Sequence, residues 1–219
     1  MIFEDRADAG RRLAAALQHY KGTDALVLAM PRGGVVVGYE ISRALGLPLD
    51  VLLCRKIGAP ENPEYAIGAL CETGDLQLNE AEIAALRIPR MYIDAEIAEQ
   101  KAEIERRRRL YRGDRGLPSL QGRTVILVDD GIATGFTIHA AIHAVRRQQP
   151  RRLVLAVPVA PPEVLRTLSR EVDEVVCLAT PSPFFAVGAW YRDFRQITDD
   201  EVRALLEKAR THASPTAEH

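Results

Sequence analysis

The sequence predicts an α/β fold in which helices cover both faces of a parallel sheet. Short runs that are apolar at nearly every position occur at residues 25–30, 49–53, 124–128, 153–158 and 174–178. Strands of this kind are buried on both faces of a sheet. Segments with the apolar spacing of a helix separate the runs, and this alternation is typical of parallel sheets. The predicted fold class rests on these two observations.

The helices are predicted from apolar periodicity and from their terminal residues. An opening helix at residues 7–20 places Leu13 and Leu17 on one apolar face. Further helices are expected at 35–45, 137–147 and 163–169. The last helix should begin near Thr198, because Thr198 and Glu201 have the spacing of a capping box. Residues 211–219 are predicted to form a disordered tail.

An insertion with a different residue pattern, first rich in turn residues and then helical, separates the second apolar run from the third. Residues 58–120 are predicted to form a flap on a core made of residues 1–57 and 121–210. Within it, 66–70 and 76–78 indicate a small hairpin, and Asn79 with Glu82 has capping-box spacing. The longest helix, at 92–112, is interpreted as a lid or a dimer helix, so a homodimer is one expected assembly. Its arginines at 106–109 are interpreted as a solvated face.

The composition indicates an ordinary globular protein and disfavours binding to a nucleic acid. Its 219 residues carry a net charge of −1, so no bulk positive field is available to bind a nucleic acid. Neither a signal peptide nor an apolar stretch of membrane-spanning length is apparent, and no membrane contact is expected. Cys54, Cys71 and Cys177 lie far apart, so no disulfide framework or cysteine zinc site is predicted. A cytoplasmic location is expected.

The third apolar run ends in two aspartates, Asp129 and Asp130, and a loop of small residues before a helix. The loop and the start of that helix contain Gly131, Ala133, Thr134, Gly135, Phe136 and Thr137. Open α/β sheets bind ligands at the carboxyl ends of their strands. Free N–H groups, hydroxyls and a helix N-terminus favour a phosphate. The two carboxylates would repel it, so they are expected to accept ribose hydroxyls or to contact the shell of Mg²⁺.

Residues 125–137 resemble the signature with which type I phosphoribosyltransferases bind 5-phosphoribosyl-1-pyrophosphate (PRPP). That signature is an apolar strand, two acids, and a short loop with Thr-Gly followed by a small or hydroxyl residue. The resemblance implies an enzyme that uses PRPP and Mg²⁺ and releases pyrophosphate. It further implies that Asp129 and Asp130 hold the ribose hydroxyls and contact Mg²⁺ indirectly. The loop from Ala133 to Thr137 would cradle the 5-phosphate.

Basic residues follow the first two apolar runs. Arg32 with Gly33 and Gly34 ends the first, and Arg55 with Lys56 ends the second. A guanidinium group suits phosphate oxygens, and glycines allow the backbone to approach an anion. By the same resemblance, the first loop binds pyrophosphate, and the basic pair opens the flap and reaches pyrophosphate. Taken alone, the first pattern also fits a simple turn and the second a solvated strand end.

The flap and a later segment are the candidates for closure and for the acceptor. A flap is mechanistically useful, because water would trap a ribosyl centre with oxocarbenium character. Glu61, Glu64 and Tyr65 are its candidate functional residues. Aromatic residues and prolines concentrate at residues 179–191.

This later segment resembles the one that packs over the base in purine phosphoribosyltransferases. The resemblance makes Phe185, Val187 and Tyr191 base-site candidates; an apolar loop that closes the core fits equally well. Ala133 stands where the 6-oxopurine enzymes carry an aspartate, so a hypoxanthine or guanine acceptor is not expected. Phe136 is larger than is usual at its place in the loop.

Other functions stay open beside the transferase. A non-catalytic protein of the same fold could sense PRPP or a nucleotide, or bind a nucleoside monophosphate without turnover. A receiver domain is disfavoured, because its acidic pair would follow the first strand. His139 and His143 have the (i, i+4) spacing that permits a shared metal, but the sequence shows no third ligand, so no zinc site is predicted.

Overall fold

In the computed structural model, residues 2–212 are described, and they contain two sheets and seven α-helices. The strands are β1 (Leu26–Ala29), β2 (Leu49–Val51), β3 (Cys54–Ala59), β4 (Asn62–Cys71), β5 (Leu76–Leu78), β6 (Thr124–Val128), β7 (Arg152–Val159) and β8 (Glu174–Ala179). The helices are α1 (Arg6–Ala16), α2 (Gly33–Leu45), α3 (Glu80–Ala85), α4 (Arg90–Arg112), α5 (Phe136–Arg147), α6 (Pro162–Leu168) and α7 (Asp199–His212). None of these helices is long and apolar enough to cross a membrane.

The larger sheet is parallel and has the strand order β2-β1-β6-β7-β8. Its central strand, β6, pairs with β1 on one side and β7 on the other, and every residue of β6 is buried. The carboxyl ends of β1 and β6 therefore lie side by side, which brings the loops after them together. The predicted α/β fold class is confirmed.

Helices cover both faces of this sheet, as the fully apolar strands predicted. Ile126 and Val154 face a core that includes Leu13 of α1, Ile41 of α2 and Leu206 of α7. Their neighbours Leu127 and Leu155 face the opposite core, where Ile138 and Ile142 of α5 and Leu165 of α6 pack. Successive residues of a strand point to opposite faces, so each strand contributes to both cores.

The smaller sheet is antiparallel, in the order β3-β4-β5, and contacts α4 and α5. The predicted hairpin is confirmed by the pairing of β4 with β5. The sheet begins at Cys54, before the expected flap boundary at residue 58, and so includes Arg55 and Lys56. Asn79 caps α3 by accepting from the N–H of Glu82 at 3.1 Å. The flap is thus a small sheet with helices, and its sheet packs against α5 of the core.

Cys54 and Cys71 form a disulfide bond, which corrects the sequence prediction. The two cysteines are separated by 17 positions and seemed too distant to pair. The antiparallel pairing of β3 with β4 places them directly opposite one another, which reverses that inference. Ala140 and Ala144 of α5 pack against the pair. The disulfide therefore lies where the flap sheet joins the core.

The ends of the two longest helices are fixed to each other. The hydroxyl of Tyr111, near the end of α4, donates to Asp199 at the start of α7. The predicted cap of α7 is confirmed by two reciprocal bonds, from the N–H of Thr198 to Glu201 at 2.8 Å and from the N–H of Glu201 to Thr198 at 3.2 Å. Residues 211 and 212 are helical, contrary to the tail prediction, and residues 213–219 lie outside the described range.

Candidate functional site

The two aspartates stand at the carboxyl end of β6, the edge at which open α/β sheets generally bind ligands. The N–H of Asp130 donates to Oδ1 of Asp129 at 2.8 Å, so the first carboxylate is held against the backbone of the second. The hydroxyl of Tyr191 donates to the carbonyl oxygen of Asp130 at 2.5 Å. These contacts fix the backbone at the strand end, and both carboxylates are largely shielded from solvent.

Arg6, in the first turn of α1, is the counter-charge of the acidic pair. Its Nε lies 2.6 Å from Oδ2 of Asp130, and the two side chains are only 9% and 16% exposed. A second nitrogen of Arg6 donates to the carbonyl of Arg195 at 2.8 Å, and the guanidinium lies 3.9 Å from the centre of the Phe194 ring. The N-terminal helix thereby contributes a fixed cation to the site.

Burial and mutual repulsion shift the titration of both aspartates. Burial, followed by the negative charge of Asp130, holds the pKa of Asp129 well above its ordinary value of 3.8. Burial also raises the pKa of Asp130, although the charge of Arg6 opposes the rise. Two carboxylates in contact resist simultaneous ionisation, and one cation offsets only part of that cost. The pair is therefore suited to bind hydroxyl donors or a further cation.

Asp129→Asn is expected to increase the free energy of unfolding at pH 7. A folded pKa raised above the unfolded value contributes stability at low pH, and that contribution is lost as the pH rises through the folded pKa. The amide removes this loss and can still accept from the N–H of Asp130. The gain should therefore shrink towards pH 4, where Asp129 is increasingly protonated. Urea unfolding at pH 7 and at pH 4 measures this gain in the free energy of unfolding. Asp24→Asn is the control, because the side chain of Asp24 is 56% exposed. An equal effect at both pH values would contradict the assignment.

The glycines of the first loop lie against the two aspartates. A β-carbon at Gly33 would come within 1.9 Å of Oδ2 of Asp130, and one at Gly34 within 3.0 Å of the Cα of Asp129. Only glycine permits this approach. Arg32 is the N-cap residue of α2, the Pro31–Arg32 peptide bond is cis, and Arg32 has no ion pair within residues 2–212. The two loops that the sequence singled out thus lie directly against each other.

The loop after Asp130 runs into the uncapped N-terminus of α5. Ile132 anchors it, because its side chain is buried and its N–H donates to Val159 at 2.9 Å. Ala133 and Thr134 are exposed, and Gly135 adopts a φ of +83° as the N-cap, where no side chain caps the helix. The first N–H groups of a helix lack partners within it and attract an anion. The predicted phosphate loop therefore has the exposure and the donors that a phosphate needs.

Phe136, whose contacts the sequence left unexplained, is half-buried at the beginning of α5. It lines a cavity of about 450 Å³ between α5 and α6, together with Val164 and Leu168. Its neighbour Thr137 is also half-buried, in the first turn of the helix. Phe136 thus faces this cavity beside the loop. Its side chain contributes to the cavity wall, whereas the backbone of the loop provides the N–H groups for an anion.

Arg55 belongs to a group of arginines on the α4 side of the flap sheet. Its Nε donates to Oε1 of Gln100 at 2.9 Å, which fixes the side chain against α4. Burial lowers the pKa of Arg55, and the positive charges of Arg107 and Arg32 lower it further. Arg107 is only 12% exposed, so the prediction of a fully solvated arginine face was wrong for this residue. Arg107 pairs with Glu103 at 2.6 Å, and the charge of Glu103 partly offsets the effect of the two cations on Arg55. Arg107 was missed because a run of arginines hides which one faces inwards.

Lys56 lies on the opposite face of β3, since neighbouring side chains of a strand alternate. Its Nζ is 2.5 Å from Oε2 of Glu64, and the two side chains are 38% and 87% exposed. The hydroxyl of Tyr65 donates to Glu82 at 2.8 Å within the flap. The structure therefore separates Lys56 from Arg55. It joins the candidate flap residues Glu64 and Tyr65 to partners within the flap.

The three base-site candidates occupy different environments. Phe185 is 86% exposed, whereas Tyr191 is only 6% exposed. The Tyr191 ring lies between those of Phe3 and Phe194, at 5.3 and 5.0 Å between ring centres. Tyr191 therefore supports the Asp130 backbone and has no open face for a base, which corrects its predicted role. Val187 is half-buried and would lie 2.5 Å from a β-carbon at Gly131, so it adjoins the acidic loop.

The position of Arg6 within the apolar pattern of α1 indicates a buried charge. Arg6 shares the buried face of α1 with Ala9, Gly10 and Leu13, at positions three, four and seven residues further on. A charged residue on an apolar helix face is rare unless it is paired. The pattern alone therefore predicts a buried carboxylate partner, although it does not identify Asp130.

Comparison with known proteins gives a consistent result. A family model described as "Phosphoribosyl transferase domain" matches residues 2–191. The chain is 45% identical over 208 residues to "Putative phosphoribosyl transferase Rv0571c" of Mycobacterium tuberculosis, covering 95% of this chain and 47% of that protein. The chain thus spans about half the length of this relative. The crystal structure of TT1426 from Thermus thermophilus is 46% identical, covers 95% of this chain and 99% of its own, and superposes with a TM-score of 0.78.

Proposed function

The chain belongs to the phosphoribosyl transferase family, and on that premise we propose that it transfers the phosphoribosyl group of PRPP to a nitrogenous acceptor and releases pyrophosphate. The observation that carries the proposal is the close approach of Gly33 and Gly34 to Asp130 and Asp129. This approach brings the loop that could bind pyrophosphate next to the two carboxylates that could bind the ribose hydroxyls. The proposal includes a requirement for Mg²⁺ and a cytoplasmic location.

Each part of PRPP is assigned to a group with matching chemistry. The ribose hydroxyls donate to the carboxylates of Asp129 and Asp130, whose burial strengthens such bonds. The 5-phosphate lies in the loop from Ala133 to Thr137, against the N-terminus of α5. This end of the substrate is far from the bond that breaks, so its binding energy positions the reacting carbon without taking part in the chemistry.

The pyrophosphate group is assigned to Arg32 and Arg55. In the reaction, the bond between the anomeric carbon and the pyrophosphate oxygen breaks, and its electron pair leaves with pyrophosphate. A lone pair of the acceptor nitrogen forms the new bond to the same carbon, and the acceptor then loses a proton. The charge that develops on the leaving group is stabilised by fixed guanidinium groups. The charge of Arg107 also acts on Arg55, although its ion pair with Glu103 offsets part of it.

The donor set of the acidic pair also fits Mg²⁺. This ion prefers carboxylate oxygens and keeps several of its waters. Asp129 and Asp130 would hold it through those waters, and a divalent cation would relieve the repulsion that raises the pKa of Asp129. When bound, Mg²⁺ supplies charge neutralisation for the pyrophosphate group. Lys56 is assigned no contact with PRPP, since it pairs with Glu64 on the other face of the flap sheet.

The residues near the proposed acceptor position exclude one class of acceptor but do not identify a single acceptor. Ala133 is exposed and has no group that could exchange a proton with a purine ring, so a 6-oxopurine acceptor is not proposed. The exposed ring of Phe185 and the side chain of Val187 offer apolar contact to a base or an aromatic amine. We therefore propose that the acceptor nitrogen belongs to a base or an amine other than a 6-oxopurine.

Calorimetry and a release assay test the proposal in two steps. PRPP with Mg²⁺ is expected to bind in a one-to-one complex, and one member of a panel of bases and amines is expected to cause pyrophosphate release. Binding without release for every acceptor would support a PRPP sensor instead. Binding of a nucleoside monophosphate but not of PRPP would support a nucleotide-binding module. If PRPP does not bind at all, the central assignment fails.

A further inference from the structure

The outer surface of α5 carries a cluster of two histidines and one glutamate that the proposed reaction does not use. His139 and His143 lie one turn apart, and Glu171 follows α6 in the turn before β8. The Nε2 atom of His139 is 3.1 Å from Oε1 of Glu171, and that of His143 is 3.3 Å from Oε2. The three ligand atoms lie within 4.8 Å of one another. The third ligand absent from the sequence pattern is thus supplied by tertiary structure.

The two nitrogen–oxygen distances are close to the ligand–ligand separation in a tetrahedral metal site. Zinc binds imidazole nitrogen and carboxylate oxygen at about 2.0–2.1 Å, so neighbouring ligands of a tetrahedral site are separated by roughly 3.3–3.4 Å. Glu171 directs one oxygen towards each ring. Oε2 is shielded from solvent and accepts no hydrogen bond from any described residue. Its 3.3 Å contact with Nε2 of His143 does not have the geometry of a hydrogen bond. A buried carboxylate oxygen without a partner is costly, and a cation between the three groups would satisfy it.

The backbone at His139 and at Glu171 is fixed before any ion binds. The N–H of His139 donates to the carbonyl of Gly135 at 2.8 Å, in the first turn of α5. The carbonyl of Glu171 accepts from Nε of Arg146 at 2.9 Å, and that arginine also pairs with Asp173 at 3.1 Å. Such support lowers the entropy lost when ligands converge on a metal. The cluster therefore does not need to be assembled from mobile loops.

We propose that His139, His143 and Glu171 bind a single Zn²⁺ ion. Two imidazoles and one carboxylate are a donor set that zinc uses, and they leave the fourth position for water. His139 also lines the cavity of about 450 Å³ beside Phe136, so that position is accessible from the space between α5 and α6. The ion connects the helix that follows the phosphate loop to the turn before β8. It is distinct from the Mg²⁺ assigned to the aspartates, and it does not depend on PRPP chemistry.

Zinc titration of the 219-residue chain, freed of metal with a chelator, tests the site by calorimetry and by thermal unfolding. One equivalent is expected to bind and to raise Tm, because a ligand that binds only the folded state stabilises it. His143→Ala and Glu171→Gln should each weaken binding by at least the roughly 10- to 100-fold that loss of an outer-shell partner costs. Substitution of Co²⁺ should give the visible absorption bands of a tetrahedral site, and these should vanish in both variants.

His19→Ala is the matched control. His19 contacts Glu174 at 3.2 Å, but no second imidazole is grouped with it among the residues that the structure describes, so its loss should leave zinc affinity unchanged. The Tm values of the metal-free variants separate lost binding from lost folding. The proposal fails if zinc does not bind stoichiometrically, or if the double variant His139→Ala, His143→Ala keeps the affinity. It also fails if Asp129→Asn removes the zinc signal, since the ion would then occupy the acidic pair.

Discussion

Asp130→Asn is expected to lower kcat/KM for PRPP-dependent pyrophosphate release by roughly 10- to 100-fold, because a hydrogen bond to a charged group contributes about 1.5–3 kcal/mol. The amide keeps the size of the side chain and one acceptor oxygen. It removes the charge that a ribose hydroxyl or the shell of Mg²⁺ would contact. It also weakens the 2.6 Å ion pair with Arg6, so the cation of α1 loses its fixed position.

Two comparisons separate this effect from a general loss of structure. Asp24→Asn removes a carboxylate whose partner, Arg151, is 59% exposed, and it should leave the release rate unchanged. Thermal unfolding should show that Asp130→Asn is folded under the assay conditions. If the variant releases pyrophosphate at the wild-type rate, Asp130 has no part in binding the ribose, and the assignment of the acidic pair is wrong.

The elements around the acidic loop could be predicted because their signals are local. A fully apolar strand, two acids, a small-residue loop and an amphipathic helix follow one another within residues 124–147. Each depends on neighbours in the chain, and β6 and α5 end where their residues change character. The loops after β1 and β6 met because their strands are adjacent, which parallel topology makes common.

The parts that the sequence could not supply depend on partners far along the chain. Arg6 meets Asp130 across 124 positions, and Glu171 meets His139 only through the packing of α6 beside α5. Cys54 and Cys71 needed the register of a hairpin whose first strand was not predicted. A charge or a thiol indicates that a partner is required, but the fold decides which residue that partner is.

Arg112→Ala is expected to reduce the free energy of unfolding by about 3–5 kcal/mol, the usual cost of breaking a buried ion pair. Arg112 ends α4 and is paired with Glu72, which follows β4, and the two side chains are 1% and 6% exposed. Glu72 also accepts from the N–H of Leu53 at 2.9 Å, so it fixes the base of the flap to the core. Burial raises the pKa of Glu72 even with Arg112 present. Without Arg112, its charge would have no compensation.

Urea unfolding of Arg109→Ala provides the control, because Arg109 is 72% exposed in its pair with Glu105 and should cost at most about 1 kcal/mol. The double variant Arg112→Leu, Glu72→Leu should recover part of the loss, although the N–H of Leu53 then loses this carboxylate acceptor. Within residues 2–212, Nε and Nη1 of Arg112 donate to no acceptor, and Asp50 lies 3.9 Å from Nε, beyond hydrogen-bonding distance. The pair is therefore incompletely compensated, and replacing both members by apolar residues is often neutral or stabilising. If Arg112→Ala costs no more than Arg109→Ala, the pair with Glu72 does not anchor the end of α4 to the flap sheet.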